Sequence, residues 1–517
     1  MITRRQLGSA ALGAAALVGT RRSAMAQAPR KGGDAVLAIA QAPPSLDAQI
    51  TSAQAARNVN LHMYETLYAR DESAKAVPEL AEGVNISHDG LTYAFPIRKG
   101  VKFHNGKELD AKDVAASIER YRKVGASPAL VAAIDKIDAS GPLEVTLRLK
   151  QPQSTFLENI SSPRAPIAIY PASEGAKEAG KIEFIGTGPY KFVEYRPDSH
   201  VKIARYDGYS VNPNGKQARD GFAGKKEAFI DTVTFRFMPE AGARVSALEA
   251  GEIHHNETID GPTAKRLAND RRFAIYKALP FALQVIKFNH AQAPGNDVNF
   301  RRAVQAALDM EEIMAIAFAD IYQMDPSWLY PGHAFHTMAG GEKFNQANLK
   351  LGKELLAKSS YKGEKLIFIV DNIRPNTDTA TVVQQRLKEI GVNIEVSVAD
   401  WPTVSKVGYT PQGWNFWAHG FGIEPYEGPA SVMAPWVAGL SLGGAKDQKI
   451  DELAAAFNLE LDEGKRKGLF DQFQKHLYDD AVVMKAGNYG VFQAATVKLK
   501  NFVPYRIPRM WGTWLEA

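Results

Sequence analysis

One stretch of this chain constrains its architecture more than any other. Residues 365–371 read as a strand, 377–390 as a helix, Gly391 as the stop of that helix, and 392–398 as a second strand. A strand–helix–strand crossover makes its two strands parallel. A parallel sheet needs helices over its faces, so all-α and all-β bodies are excluded and α/β lobes are expected.

The rest of the chain mixes both element types. Strands are predicted at 35–39, 91–97, 143–149, 189–206 and 231–237, with Pro96 marking an edge or a strand end. Asp110-Ala111-Lys112-Asp113 has the form of a capping box, ahead of a helix whose apolar face is Val114, Ile118 and Tyr121. The polar, Gly-rich stretch from Asp207 to Gly224 is a loop. Asn299 is placed as the cap of a helix through Phe300, Val304 and Leu308 to Phe318; two more helices follow at about 447–459 and 464–478. No internal repeat is evident.

At 517 residues the chain has room for about three to four domain-sized units. Apolar residues make up 45% and charged residues 23%, an ordinary globular balance. The net charge is +5, with no basic run, so no nucleic-acid partner is expected. The absence of Cys excludes disulfides, thiolate metal sites and Cys nucleophiles. Arg4 and Arg5 precede an uncharged apolar stretch from Leu7 to Thr20, too short for a membrane span, and Ala24-Met25-Ala26 offers a cleavage pattern. Residues 1–26 are therefore expected to be a cleaved export signal; Thr3-Arg4-Arg5-Gln6-Leu7 is similar to a twin-arginine signal, a plain secretory signal being the alternative. Losing Arg4, Arg5, Arg21 and Arg22 takes the net charge from +5 to +1. The expected product lies outside the cytoplasm, in a periplasm.

Catalytic motifs fail on their context. Gly439-Leu440-Ser441-Leu442-Gly443 matches a nucleophile elbow, yet Pro435 and Gly439 break any strand before it and Gly444 and Ala445 delay any helix after it. The candidate partners, Asp471 and His476, sit in one predicted helix. A secreted hydrolase using Ser441 is the catalytic alternative. His254 and His255 point to opposite faces of a strand and do not share a metal ion. All seven Trp residues lie at or after position 328, either as filling of the second half or as a recognition surface.

A longer set of motifs carries a resemblance. Tyr64-Glu65-Thr66-Leu67-Tyr68, Val77-Pro78-Glu79-Leu80-Ala81-Glu82, the run from Leu91 to Gly106, Ala111-Lys112-Asp113-Val114 and Ser117-Ile118-Glu119-Arg120 follow one another in order. Gly186-Thr187-Gly188-Pro189-Tyr190, Phe288-Asn289, Phe300-Arg301-Arg302-Ala303-Val304, Gln384 to Gly391 and Trp511 to Leu515 continue the series. The chain resembles the family 5 extracellular solute-binding proteins of bacterial ABC importers, the peptide/nickel type. The resemblance implies a two-lobe periplasmic binding protein of type II, cluster C, with an additional inserted subdomain. It implies lobe I from 27–54, 183–275 and 482–517, the subdomain from 55–182 and lobe II from 276–481, with crossings near Leu279-Pro280 and near Asp480. It further implies a monomer that binds a peptide or other small solute between its lobes and hands it to a membrane permease, without catalysis, cofactor or metal. A periplasmic peptide chaperone on the same scaffold is the other alternative.

The densest set of ligand candidates is Trp414, Trp417, His419, Phe421, Glu424 and Tyr426. In the family a W-x-x-D-x-x-D-P segment lies here, and its first Asp pairs with a peptide amine. This chain has Gly420 at that spacing from Trp417, and its nearest acid is Glu424. Arg374, just past the strand 365–371, is a candidate carboxylate partner. Trp401 and, from the first lobe, Gln49, Thr51 and Ser52 complete the candidates.

Overall fold

The computed structural model describes residues 28–516, apart from 320, 438–443 and 445. The export signal expected at 1–26 and Ser441 lie outside the described residues.

One 11-stranded sheet organises the molecule. Its strands run in the order Ile394–Ala399, Leu366–Asp371, Phe416–Phe421, Phe273–Phe288, Val483–Thr496, His255–Ile259, Asp34–Ile39, Thr232–Phe237, His200–Arg205, Tyr190–Arg196. Tyr322–Gln323 pairs on the flank of Val483–Thr496. The two central strands are long and antiparallel, and they are what passes from one lobe to the other. Their register breaks between Ala278, opposite Val491, and Ala282, opposite Tyr489. The irregularity bends the ladder at that point and divides the sheet into two halves.

Leu279-Pro280, near which the first crossing is expected, lies inside this register break. The second falls at Tyr489–Val491 rather than near Asp480, which caps the end of helix Glu463–Asp479. Residues 483–488 pair with the second half of Phe273–Phe288 and so belong with lobe II, not with lobe I as the division at 482 has it. The other end of the division shifts too. Helix Gln54–Met63 packs Val59 and Met63 into the lobe I core with Tyr190, Val201 and Phe235, outside the subdomain to which 55–182 assigned it.

The crossover unit forms as its sequence requires. Leu366–Asp371 and Ile394–Ala399 pair in parallel, and helix Arg374–Glu389 connects them. Gly391 takes φ +94°, the left-handed turn that ends the helix. The helix buries Ala380, Val383 and Leu387 against Phe368, Val370 and Phe416. On the opposite face of this half-sheet, Leu283, Val285 and Phe421 meet Trp328, Trp436, Phe470 and Phe473. Burial on both faces is the stabilising term, at about 25 cal/mol per Å2 of apolar surface removed from water.

The inserted subdomain is a four-stranded antiparallel sheet in the order Asn85–Ile86, Thr92–Pro96, Glu144–Leu149, Ile134–Asp138, backed by helix Ala111–Val124. Pro96 ends its strand, which is internal rather than an edge. The capping box is complete: Asp110 accepts from the Lys112 and Asp113 N–H groups, and Asp113 from that of Asp110. The long helix expected from Asn299 to Phe318 is two helices, Val298–Ala307 and Met310–Phe318. Asp297, not Asn299, caps the first, and Asp309 caps the second through the Glu312 N–H. A second cap inside the apolar periodicity was the signal for the break.

Candidate functional site

The topology brings the carboxyl ends of strands from both lobes to one place. In lobe II, Phe416–Phe421 runs antiparallel to Phe273–Phe288 and ends opposite Leu283, beside the crossing; Leu366–Asp371 is parallel to it. In lobe I, His255–Ile259 runs antiparallel to Val483–Thr496 and ends opposite Phe492, again beside the crossing; Asp34–Ile39 is parallel to it. The strand ends at Asp371, Phe421, Ile39 and Ile259 thus face a common cleft whose floor is the two long strands. Open parallel sheets bind ligands outside their carboxyl ends.

Charges close the cleft on one side. Glu424, three residues past its strand, accepts from Arg57 Nη1 at 2.6 Å and Nη2 at 2.7 Å, and pairs with Arg506 Nε at 2.9 Å. Arg57 also donates to the Tyr426 hydroxyl at 2.6 Å. Burial pushes the Glu424 carboxyl up, but the Arg57 and Arg506 charges more than offset it and hold it at about 2. Arg506 lies 4.2 Å over the Phe281 ring and donates to the Phe281 carbonyl at 2.7 Å, at the crossing itself. On the lobe I side, Glu257 accepts from the Ala40 N–H at 2.7 Å and from Asn58 at 3.2 Å. Burial raises its carboxyl.

Lobe II contributes an aromatic wall. Trp417, His419 and Phe421 alternate onto one face of their strand. His419 lies 4.4 Å from the Trp417 ring, and Phe421 lies 5.9 Å from Trp436. Trp401 covers Trp417 and His419, each at 6.0 Å. Gly420 faces the other way. A Cβ on it would lie 2.3 Å from the Tyr489 hydroxyl, so Tyr489 fills the space a side chain at 420 would need.

Residues 75–440, well over half of the chain, match the family model for bacterial extracellular solute-binding proteins, family 5. The chain belongs to this family. It is 27% identical to the oligopeptide-binding protein AppA of Bacillus subtilis, over 75% of this chain and 73% of that one. It is 26% identical to a probable peptide ABC transporter periplasmic-binding protein of Sinorhizobium fredii, over 99% of each. Among solved structures it is similar to the ABC transporter substrate-binding protein CtaP of Listeria monocytogenes, with a TM-score of 0.81, 21% identity, and coverage of 94% of this chain and 100% of that one. Two lobes around a cleft are the family's architecture.

Within this family 5 protein the expected site residues separate into groups. Trp417, His419 and Phe421 share the wall, and Trp401 stands over it, 44% exposed. Glu424 and Tyr426 belong to the ion-pair cluster. Trp414 lies behind the wall, with its indole N–H donated to the Thr410 carbonyl at 2.8 Å. Arg374 projects from the first turn of its helix, its side chain 90% exposed and paired with Asp378. Gln49 is fully buried and commits its amide to Ser117, Ala168 and Arg120, which ties lobe I to the subdomain instead of facing a solute. Thr51 accepts from the Ala53 N–H, and Ser52 accepts from Arg57 Nε through its carbonyl, so both shape the turn that presents Arg57. His476 is held by Asp447 at 2.8 Å. Arg57, Arg506, Lys287 and Tyr489 were not singled out from sequence. Each is an isolated residue in its own segment; only the fold sets Arg57 and Arg506 on Glu424, Lys287 against Trp417 and Tyr489 against Gly420.

Proposed function

We propose that this protein is the exported solute-binding component of an ABC importer, which captures a peptide or peptide-like small solute between its lobes and delivers it to an inner-membrane permease. The observation that carries this reading is the facing of strand carboxyl ends from two lobes joined through two continuous strands. A solute that touches both lobes favours the closed form, and the closed form is what a permease distinguishes. The relatives named for oligopeptide and peptide transport support the solute class. In the same reading residues 1–26 are a removable export signal and the working protein is a monomer. Its lobe I comprises 28–66, 183–278 and 491–516, the subdomain 67–182, and lobe II 282–489.

Gly420, with Tyr489 against it, removes an acid at the position where the family pairs a peptide amine. The proposed solute is therefore one whose recognition does not depend on a free amine at that point. Native mass spectrometry of the protein as purified, followed by thermal-shift screening of peptides, opines and metal chelates, tests the reading. A retained solute, or a rise in Tm with one class, is expected because ligand binding adds to folding stability. No retained mass and no shift with any class would overturn it.

A further inference from the structure

Lys287 is placed where its strand neighbours on the same face are apolar. Lys287 pairs with Trp417, Val285 with His419 and Leu283 with Phe421. The Lys287 side chain turns inward; the residue is 1% exposed. Its Nζ lies 4.6 Å from the Trp417 ring centroid and 5.4 Å from that of Phe421. Among the described residues Nζ has no hydrogen-bond acceptor, and neither Trp417 Nε1 nor His419 Nε2 has a partner. His419 Nδ1 bonds the Gly420 carbonyl at 2.9 Å, which fixes it as the donor nitrogen and leaves Nε2 as an acceptor.

Such an arrangement is costly unless something completes it. Aromatic faces compensate a buried ammonium only in part. An ammonium taken out of water without a counter-ion is among the more expensive things a fold can hold. Leu or Met would fill the same volume without that cost. What the wall lacks is one negative charge, beside an acceptor that suits an N–H donor. The route to it is short. Trp401 starts the helix Trp401–Gly408 directly after the carboxyl end of Ile394–Ala399, on the cleft side, and is the exposed side chain over Trp417 and His419.

We propose that this wall is a subsite for a carboxylate carried by the solute, with Lys287 as its counter-ion and Trp401 as the side chain that moves to admit it. The assignment rests on the solute-binding reading above and narrows it to acidic solutes. The carboxylate belongs either to a chain terminus or to an acidic side chain, and both present the same chemistry to Lys287.

The test is isothermal titration calorimetry with tripeptides in matched pairs. One arm compares free C-termini with C-terminal amides; the other compares Glu with Gln in the middle position. The wild type is expected to prefer the acid about tenfold or more in one arm, as a charge-assisted contact in a dry site implies. That arm names the source. In Lys287→Met the preference is expected to vanish while the uncharged partner binds within about threefold of wild type. Lys287→Gln serves if the Met variant does not fold, and the wild-type pairs need no variant at all. Equal binding of acid and amide in both arms, or a preference that survives the substitution, overturns the subsite and leaves the peptide reading standing. No binding by any of these tripeptides overturns the subsite and the peptide form of the reading, while a shift with another solute class leaves solute binding itself standing.

Discussion

The guanidinium of Arg57 and the carboxylate of Glu424 meet in a two-pronged pair, with Nη1–Oε2 at 2.6 Å and Nη2–Oε1 at 2.7 Å, and both side chains are buried. Arg57 stands on helix Gln54–Met63, packed into lobe I; Glu424 follows the strand Phe416–Phe421 of lobe II. Arg506 of the C-terminal segment holds the same carboxylate from a second direction. In the proposed division of the lobes the pair spans the cleft, so its energy belongs to the closed arrangement and not to either lobe alone. An open arrangement returns both groups to water.

Glu424→Gln is therefore expected to weaken closure. It removes the carboxylate that Arg57 and Arg506 share, and breaking a buried pair by removing one partner is costly. Solute affinity should fall about tenfold or more, since each 1.4 kcal/mol lost from the closed state is a factor of ten. Small-angle scattering at a saturating solute level should give a larger radius than wild type. Unchanged affinity would show that the pair stabilises a lobe interface present in the open form as well.

The same pair sets an acid limit. The Glu424 carboxyl has an ordinary value of 4.5 and is held at about 2 in the folded protein. Between those values the unfolded chain binds a proton that the folded chain does not, so acid favours unfolding. The stabilisation is whole above pH 4.5 and lost as the pH falls to about 2. The Tm gap between wild type and Glu424→Gln should narrow as the pH is taken from 5 to 2. A gap that stays constant would place the charge elsewhere.

The elements that were legible in the sequence are those with a local signature. The crossover at 366–399, the capping box at Asp110 and the alternating strand Glu144–Leu149 each state their geometry within a few residues. The helix break at Leu308-Asp309 was hidden because Phe300, Val304 and Leu308 continue one apolar face right up to it. The course of Val483–Thr496 through both lobes was hidden for a different reason. Nothing local marks where a strand changes lobe; that follows from which strands pair with its two ends. The site divides the same way. Aromatic density made Trp417, His419 and Phe421 candidates, and the fold sets them on one face of a strand, whereas Arg57 and Arg506 reach Glu424 from hundreds of residues away in one case and from the C-terminal segment in the other.

Lys287 gives a prediction about stability that is independent of any solute. Burial lowers its ammonium from 10.5 to about 7. His419 beside it is pushed well below 6.5 by burial and by Lys287 and stays neutral; Lys485, on the neighbouring strand, is also lowered to about 7 by burial, is raised by Asp325, and donates to the Ser327 carbonyl. Below pH 7 the folded protein carries the full cost of the buried charge. As the pH rises toward 10.5 the folded protein releases a proton that the unfolded chain still holds, and wild type gains on a variant without the amine. Lys287→Met should therefore be more stable than wild type by roughly 1–3 kcal/mol at pH 6, with the gap closing toward pH 10. Denaturant melts at the two pH values measure it. A variant less stable than wild type at pH 6 would mean that Lys287 is already paired in the free protein.

Gly420 makes a prediction about space. With the Tyr489 hydroxyl 2.3 Å from where a Cβ would be, Gly420→Ala forces either the Tyr489 ring or the strand to move. Tyr489 is stacked on Phe318 at 4.6 Å, which resists that movement. Overpacking of this kind costs about 1–3 kcal/mol. Adding Tyr489→Ala in the same chain should relieve the clash, so the double variant should be less unstable than the sum of the singles. Strict additivity in denaturant melts would mean that the two residues do not share the space.

Trp401 separates a role in recognition from a role in packing. Most tryptophans of this chain are buried, and truncating one of those removes core volume; Trp401 is 44% exposed, so Trp401→Ala should cost no more than about 1 kcal/mol of stability. Its ring nevertheless lies 6.0 Å from both Trp417 and His419, over the wall that faces the proposed solute. Solute binding should therefore change the tryptophan emission of wild type. The change should be largely absent in Trp401→Ala, while Trp401→Phe, which keeps an aromatic cover, should restore affinity but not the signal. An emission change of full size in Trp401→Ala would show that the wall is reached without moving this side chain, and would locate the entry to the cleft on the Arg57–Glu424 side.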